Sequence, residues 1–292
     1  MTRIEHLGAW PARILWIALA VVAGASIGDG LDGRSSAVVA VALTGLWAGW
    51  AGALVALLVP RTAALTASRI LVPGGLAAVL AATVTGSAVD LLDVAAVALA
   101  ALATLAVFSP WMAESWVDGS SYGPERRLPL RTPAALSYAL VPVTWVAVAV
   151  GAISGPLLLA ARQWAVGGLA MAAGAAVMWA GVRSLHQLSR RWVVLVPAGL
   201  VLHDRLAMPE AQLFPRRVIG GIGPAPVDTV ADDLTAGAPG LALQLDLNEE
   251  VEILLRASRR TTTTRPTTAV LFTPSRPKRF LDAAAAHRLR VG

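Results

Sequence analysis

Cysteine is absent from this chain. That excludes disulfide cross-links, thiolate metal ligation and a thiol nucleophile. Charge is scarce: 14% of the 292 residues are Asp, Glu, Lys or Arg, where a soluble domain carries about 25%. Lys278 is the single lysine among 24 basic residues. Histidine is limited to His6, His186, His203 and His287, which lack the paired spacing that holds a metal. No metal and no cofactor is therefore expected. Gly220-Gly221-Ile222-Gly223 is followed by no Lys-Ser/Thr and opens no helix, so it reads as a strand end with a bend. No serine sits in a nucleophile elbow. These absences weigh against an enzyme, and no catalytic residue is assigned.

Apolar residues are plentiful. They make up 56% of the chain, and several stretches of 18 or more residues carry no charge, the length a bilayer-spanning helix needs. Six spans are predicted: Pro11–Gly28, Ser36–Val59, Ile70–Gly86, Val94–Met112, Ala134–Ile153 and Gln163–Val182. The first has a rival reading. Arg3 and Arg13, an apolar run and Val22-Ala23-Gly24-Ala25 have the layout of a cleavable signal peptide.

Arginines set the orientation. Arg3 and Arg13, then Arg61 and Arg69, then Arg126, Arg127 and Arg131, then Arg183, Arg190 and Arg191 fall on one side. The other side holds Asp29, Asp32, Asp90 and Asp93 with fewer arginines. The positive-inside rule makes the first side cytoplasmic. Both termini are then inside, in the cytoplasmic membrane of a bacterium.

Two spans contain helix breakers, Val72-Pro73-Gly74-Gly75 in the third and Pro142 in the fifth. Broken spans line binding sites in transporters, but neighbouring helices also absorb Pro and Gly in ordinary bundles. Gly45, Gly49, Gly52 and Ala53 place small residues on one face of the second span, which suits close helix packing within the bundle.

The stretch from Pro110 to Pro133 reads as a long cytoplasmic loop. Arg126, Arg127 and Arg131 on it form a candidate clamp for a phosphate or lipid headgroup. The plainer reading is an interfacial loop anchored by Trp111 and Trp116.

At Trp192 the pattern changes to period two. Trp192–Val196 and Leu200–His203 flank Pro197-Ala198-Gly199 as a hairpin. Arg217–Ile222, Leu241–Leu247 and Val251–Arg256 follow, the last two joined by an acidic turn at Asn248-Glu249-Glu250. Ser258–Pro266 reads as a polar basic loop and Thr268–Phe272 as the last strand. A final helix is capped by Ser275, starts at Pro277, and carries Phe280, Leu281, Ala284, Ala285 and Leu289 on one face. The predicted domains are 1–183 as the spans, 184–191 as a juxtamembrane linker and 192–292 as an α+β unit.

The run Ala269-Val-Leu-Phe-Thr-Pro-Ser-Arg-Pro-Lys-Arg-Phe-Leu281, after strands in hairpins and an acidic tip, resembles the end of a bacterial pleckstrin-homology-like (PH-like) domain. The order, spans first and this unit last, resembles actinobacterial integral membrane proteins. The resemblance covers about the last third of the chain. It implies a curved antiparallel sheet closed by a C-terminal helix, binding of lipid, peptide or protein, and no enzyme activity. Six strands are visible, and a seventh is expected near Ala207–Leu213.

A net charge of +6 suits anionic inner-leaflet lipid. No nucleic-acid motif accompanies it. Arg259, Arg260 and Arg265 on the loop, with Arg276, Lys278 and Arg279 at the helix start, are candidate lipid contacts. The functional expectation is a membrane-anchored adaptor or scaffold that binds anionic lipid or a protein partner. The alternatives are a transporter or channel component using the broken spans, and an enzyme acting on lipid or envelope precursors.

Overall fold

The structure, a computed structural model, describes residues 8–256, 258 and 261–292. The chain divides into two compact units. The first holds the described residues up to Trp116 together with Pro142–His186; the second holds Val117–Val141 and Gln187–Gly292.

The first unit is helical: α1 (Trp10–Gly30), α2 (Ser36–Leu58), α3 (Thr62–Thr85), α4 (Leu91–Val107), the short α5 (Pro110–Asp118), α6 (Val141–Ala160) and α7 (Trp164–Leu188). Five helices or helical runs are long and apolar enough to cross a membrane, and α4 with α5 makes a sixth if the bent pair counts as one span. Each helix buries only a seam. In α1 the seam is Ala12, Trp16, Leu19, Ala23 and Ser26. In α4 it is Asp93, Ala96, Ala100, Ala103 and Val107. Both follow the three-four spacing of one helix face, and alanine lets backbones approach closely.

The fourth predicted span, Val94–Met112, does not run as one helix. It ends at Val107, and α5 leaves at 52°. Pro110 cannot donate to the preceding turn. Ser109 Oγ accepts the Met112 N–H at 3.3 Å and caps the new helix.

The predicted break at Pro73-Gly74-Gly75 is absent, because α3 is continuous. A Cβ at Gly75 would lie 2.5 Å from the Trp16 ring, so the missing side chain is the recess that admits the indole of α1. Trp145 Nε1 donates to Ile70 O at 3.0 Å, in the turn that Pro73 leaves short of a donor. Pro142 also makes no break. A π-helical turn, Leu136–Leu140, precedes it, and the Val141 N–H reaches Leu136 O. The wider turn makes room where a proline ring would crowd its i−4 carbonyl.

Two arginines predicted to lie at span ends or in loops cap neighbouring helices. Arg13 Nε donates to Leu57 O at 2.9 Å, at the end of α2. Arg69, inside α3, donates to Val107 O at 3.4 Å, at the end of α4, with its guanidinium 5.5 Å from the Phe108 ring. Each puts a cation at a helix C-terminus, where orphan carbonyls and the dipole favour it. Trp16 and Trp50 exchange indole-to-carbonyl bonds at 3.0 and 3.1 Å. Trp116, predicted to lie at the interface, is buried and donates to Ala56 O. Trp10, Trp164 and Trp179 do face outward.

Helices α6 and α7 pack through glycine. Gly151 meets Gly174, Gly155 meets Met171 and Gly167 meets Leu159. On α2, Gly52 faces Leu71 and Ala53 is buried, but Gly45 and Gly49 meet nothing within 4 Å. Half of that predicted packing face is therefore unused within the chain.

Among the described residues the second unit has eight strands in two sheets. The first sheet has the order β1 (Arg126–Pro129), β2 (Trp192–Val196), β3 (Gly199–His203), β4 (Gln212–Pro215), all antiparallel. The second has the order β5 (Ile219–Pro224), β7 (Leu243–Arg256), β8 (Thr262–Phe272), β6 (Asp232–Asp233), with β6 parallel to β8. Helix α8 (Pro277–Ala286) closes the core, and Phe280 meets Phe272 edge to face at 5.3 Å.

Several predictions change here. The expected strand near Ala207–Leu213 is β4, shifted to Gln212–Pro215. Asn248-Glu249-Glu250 is not a hairpin tip: β7 runs through it, and the register shifts between Asp246 and Val251. That bulge absorbs a polar run which in isolation reads as a turn. Thr262–Pro266, predicted as loop, is already strand, in keeping with the β preference of threonine. In α8, Arg276 rather than Ser275 stands at the N-cap, and Ala285 faces solvent while Phe280 and Ala284 are buried.

Candidate functional site

The stretch from Pro110 to Pro133 is not a loop. It supplies α5 and the edge strand β1, and it is joined on both sides. Arg126–Pro129 pairs with Leu195–Trp192. Beyond the strand, the Leu130 N–H donates to Arg191 O at 3.0 Å, the Arg131 N–H to Thr273 O at 2.8 Å and the Ser275 N–H to Pro129 O at 2.8 Å. Leu128 and Leu130 are buried in the common core. A segment more than sixty residues upstream thus completes the C-terminal unit.

At this junction lies a buried ion pair. Arg191 Nε and Nη2 donate to Asp204 Oδ1 and Oδ2 at 2.8 and 2.6 Å, with the side chains 2% and 0% exposed. Arg191 Nη1 donates to Arg131 O at 2.6 Å. Asp204 Oδ1 also accepts the Leu206 N–H at 3.0 Å. A two-pronged pair with further hydrogen bonds to both partners is the geometry that offsets burial of both charges.

The predicted arginine clamp does not converge on one point. Arg127 Nη2 pairs with Glu125 at 3.1 Å, and Arg126 Nε lies 3.8 Å from Asp118. Asp118 Oδ1 further accepts the Arg127 N–H and the Ser121 hydroxyl, both at 2.9 Å. The Arg131 guanidinium lies over Gly240, where a Cβ would meet its Cζ at 3.1 Å; with φ +109° as well, the position needs glycine.

The second predicted basic cluster is dispersed too. Arg259 and Arg260 lie outside the described residues. Arg265 is on β8, ion-paired with Asp232. Arg276, Lys278 and Arg279 open α8 beyond the other end of β8. Eleven residues of strand at about 3.3 Å each separate the two ends by roughly 30 Å. Thr262, where β8 begins, and the start of α8 therefore do not lie together.

Sequence reasoning missed a third arrangement. Trp192 and His203, partners across β2 and β3, stack with ring centroids 4.8 Å apart and planes 12° apart. The Arg127 guanidinium lies 6.0 Å from the Trp192 ring. Burial, followed by the charges of Arg190 and Arg205, holds the His203 imidazole below its ordinary range and so in its neutral form. Its Nε2 is buried and has no hydrogen-bond partner. The available signal was the two-residue alternation of these strands, with Trp192 and His203 at matching ends of the hairpin.

Among the described residues no group of three or more metal-ligating side chains lies together. Compared with protein-family models, with curated proteins and with solved structures, the chain matches none.

Proposed function

We propose that this chain is a multi-pass scaffold of the bacterial cytoplasmic membrane whose PH-like second unit binds anionic phospholipid. On this reading the spans number six, with the bent α4–α5 pair counted as one, and both termini are cytoplasmic. The observation that carries the reading is the weave of the chain. It passes between the two units three times, at 116/117, 141/142 and 186/187. A sheet unit merely appended to a bundle needs one crossing. Three crossings restrict its freedom and keep its surface at high effective concentration near a bilayer. Two sheets over a shared core, closed by a C-terminal helix, support the PH-like part, with β1 as a strand recruited from between the spans.

The test uses the full chain in nanodiscs, comparing phosphatidylcholine alone with phosphatidylcholine plus phosphatidylglycerol. Hydrogen exchange of the second unit should slow in the anionic discs and return at high salt, because exposed charge contacts are screened over about 8 Å at physiological ionic strength. Identical exchange in both discs across the whole unit would refute lipid binding.

A further inference from the structure

The first sheet has an unusual outer face. Val193, Leu195, Leu200 and Leu202 point into the core and are fully buried. Their alternates therefore lie on the opposite face: Trp192, Val196, Val201 and His203 are half-buried there, and Val194 between them is 7% exposed. Leu213 of β4, opposite Val201, is 42% exposed. The solvent face of an antiparallel sheet normally alternates to polar residues; here it stays apolar and carries no acid on β2 or β3. At the end marked by Trp192 and His203, Arg127, Arg190 and Arg205 stand round it, Arg127 also pairing with Glu125 at 3.1 Å. Among the described residues neither Arg190 nor Arg205 forms a salt bridge. An apolar centre and an arginine rim match a phospholipid headgroup with its upper acyl chain. Tryptophan and arginine are side chains suited to that depth.

Chain length supports the same occupant. Leu188 ends α7 and Trp192 begins β2. Four residue steps reach at most about 14 Å, so this end of the sheet cannot leave the neighbourhood of the headgroup layer once α7 is in a bilayer.

We propose that the outer face of the β1–β4 sheet docks on anionic phospholipid, with Trp192, Val196 and Val201 against the lipid and Arg127, Arg190 and Arg205 on the phosphates. This assignment rests on the lipid-binding reading above and names the surface that performs it.

The absence of cysteine makes the test direct. Single Val196→Cys and Thr264→Cys variants of the full chain, each carrying a bimane label, are placed in nanodiscs with headgroup spin-labelled lipid. Bimane at position 196 should be quenched in phosphatidylglycerol-containing discs. The quenching should be lost in phosphatidylcholine, at high salt, or with Arg190→Glu plus Arg205→Glu. The label at position 264, on the β7–β8 hairpin, should stay bright throughout. Quenching at 264 but not at 196 would overturn this face while leaving lipid binding by the unit intact. Quenching at neither would remove both readings. Equal quenching at 196 in both lipids, or quenching that survives the charge reversal, would overturn recognition by the arginine rim.

Discussion

Arg191 and Asp204 face each other across the first hairpin as a two-pronged ion pair at 2.8 and 2.6 Å, with neither side chain more than 2% exposed. The third donor of Arg191 is spent on Arg131 O, so one buried guanidinium holds β2, the turn after β3 and the chain leaving β1. By position in the sequence Arg191 reads as one more positive-inside arginine. The structure makes it a core residue instead.

Asp204→Ala should therefore cost about 3–5 kcal/mol, because it strands a buried cation. The paired exchange Arg191→Met with Asp204→Leu should cost less than either single change. Denaturant melts of the detergent-solubilised chain measure this. A loss under about 1 kcal/mol for Asp204→Ala would mean the pair is solvated in solution.

A fragment of residues 187–292, which keeps Arg191 with Asp204, should fail to melt cooperatively. It lacks β1 and the buried Leu128 and Leu130, each worth about 1.5–3 kcal/mol in the core. A fragment with residues 117–133 fused ahead of it through a flexible linker should regain a cooperative transition. Equal melts for the two fragments would show that β1 is dispensable.

The α6–α7 contact gives a graded test. A Cβ at Gly155 would lie 2.7 Å from Met171 Cα, whereas one at Gly168 meets nothing within 4 Å. Gly155→Ala should destabilise the bundle by about 1–3 kcal/mol through overpacking. Gly168→Ala should be neutral or slightly favourable, since alanine is the better helix former. Thermal inactivation of the two variants side by side distinguishes them, and matching losses would contradict the packing.

His203 sets a pH dependence. Its imidazole is depressed from 6.5 by burial first and then by Arg190 and Arg205. Above the unfolded value both states are neutral, and the stabilising effect of holding the imidazole neutral is complete. As pH falls below about 6.5 the unfolded chain takes up the proton first, so stability drops until the folded value is passed. His203→Phe keeps a ring on Trp192 and should flatten that slope between about pH 7 and pH 5. An unchanged slope would assign the acid sensitivity to other groups.

Topology can be read with cysteines in this cysteine-free chain. Asp32→Cys should react with an impermeant reagent in intact cells and Ser258→Cys should not. The reverse pattern would invert the orientation, and labelling at both sites would break it.

Local pattern alone determined the parts whose signal is contiguous. Ser36–Leu58 is a helix because it holds an uncharged run of spanning length, capped by Ser35. Trp192–Val196 and Gly199–His203 are strands because alternation and a Pro-Ala-Gly turn agree. The absence of cysteine excluded thiol chemistry before any fold was known.

Tertiary structure decided what depends on a distant partner. Arg126–Pro129 is a strand only because Trp192–Leu195 offers it an edge, with α6 and α7 lying between them in sequence. Asn248-Glu249-Glu250 is carried within one strand because β8 pairs with β7 before it, at Leu243–Asp246, and after it, at Val251–Arg256, and the register shift between takes up the misfit. Pro73 leaves α3 unbroken, with Trp145 donating to Ile70 O in the same turn, and Gly75 serves Trp16 rather than a hinge. In each case a hydrogen-bonding group or a small side chain has one local meaning, and a partner supplied by the fold gives it another.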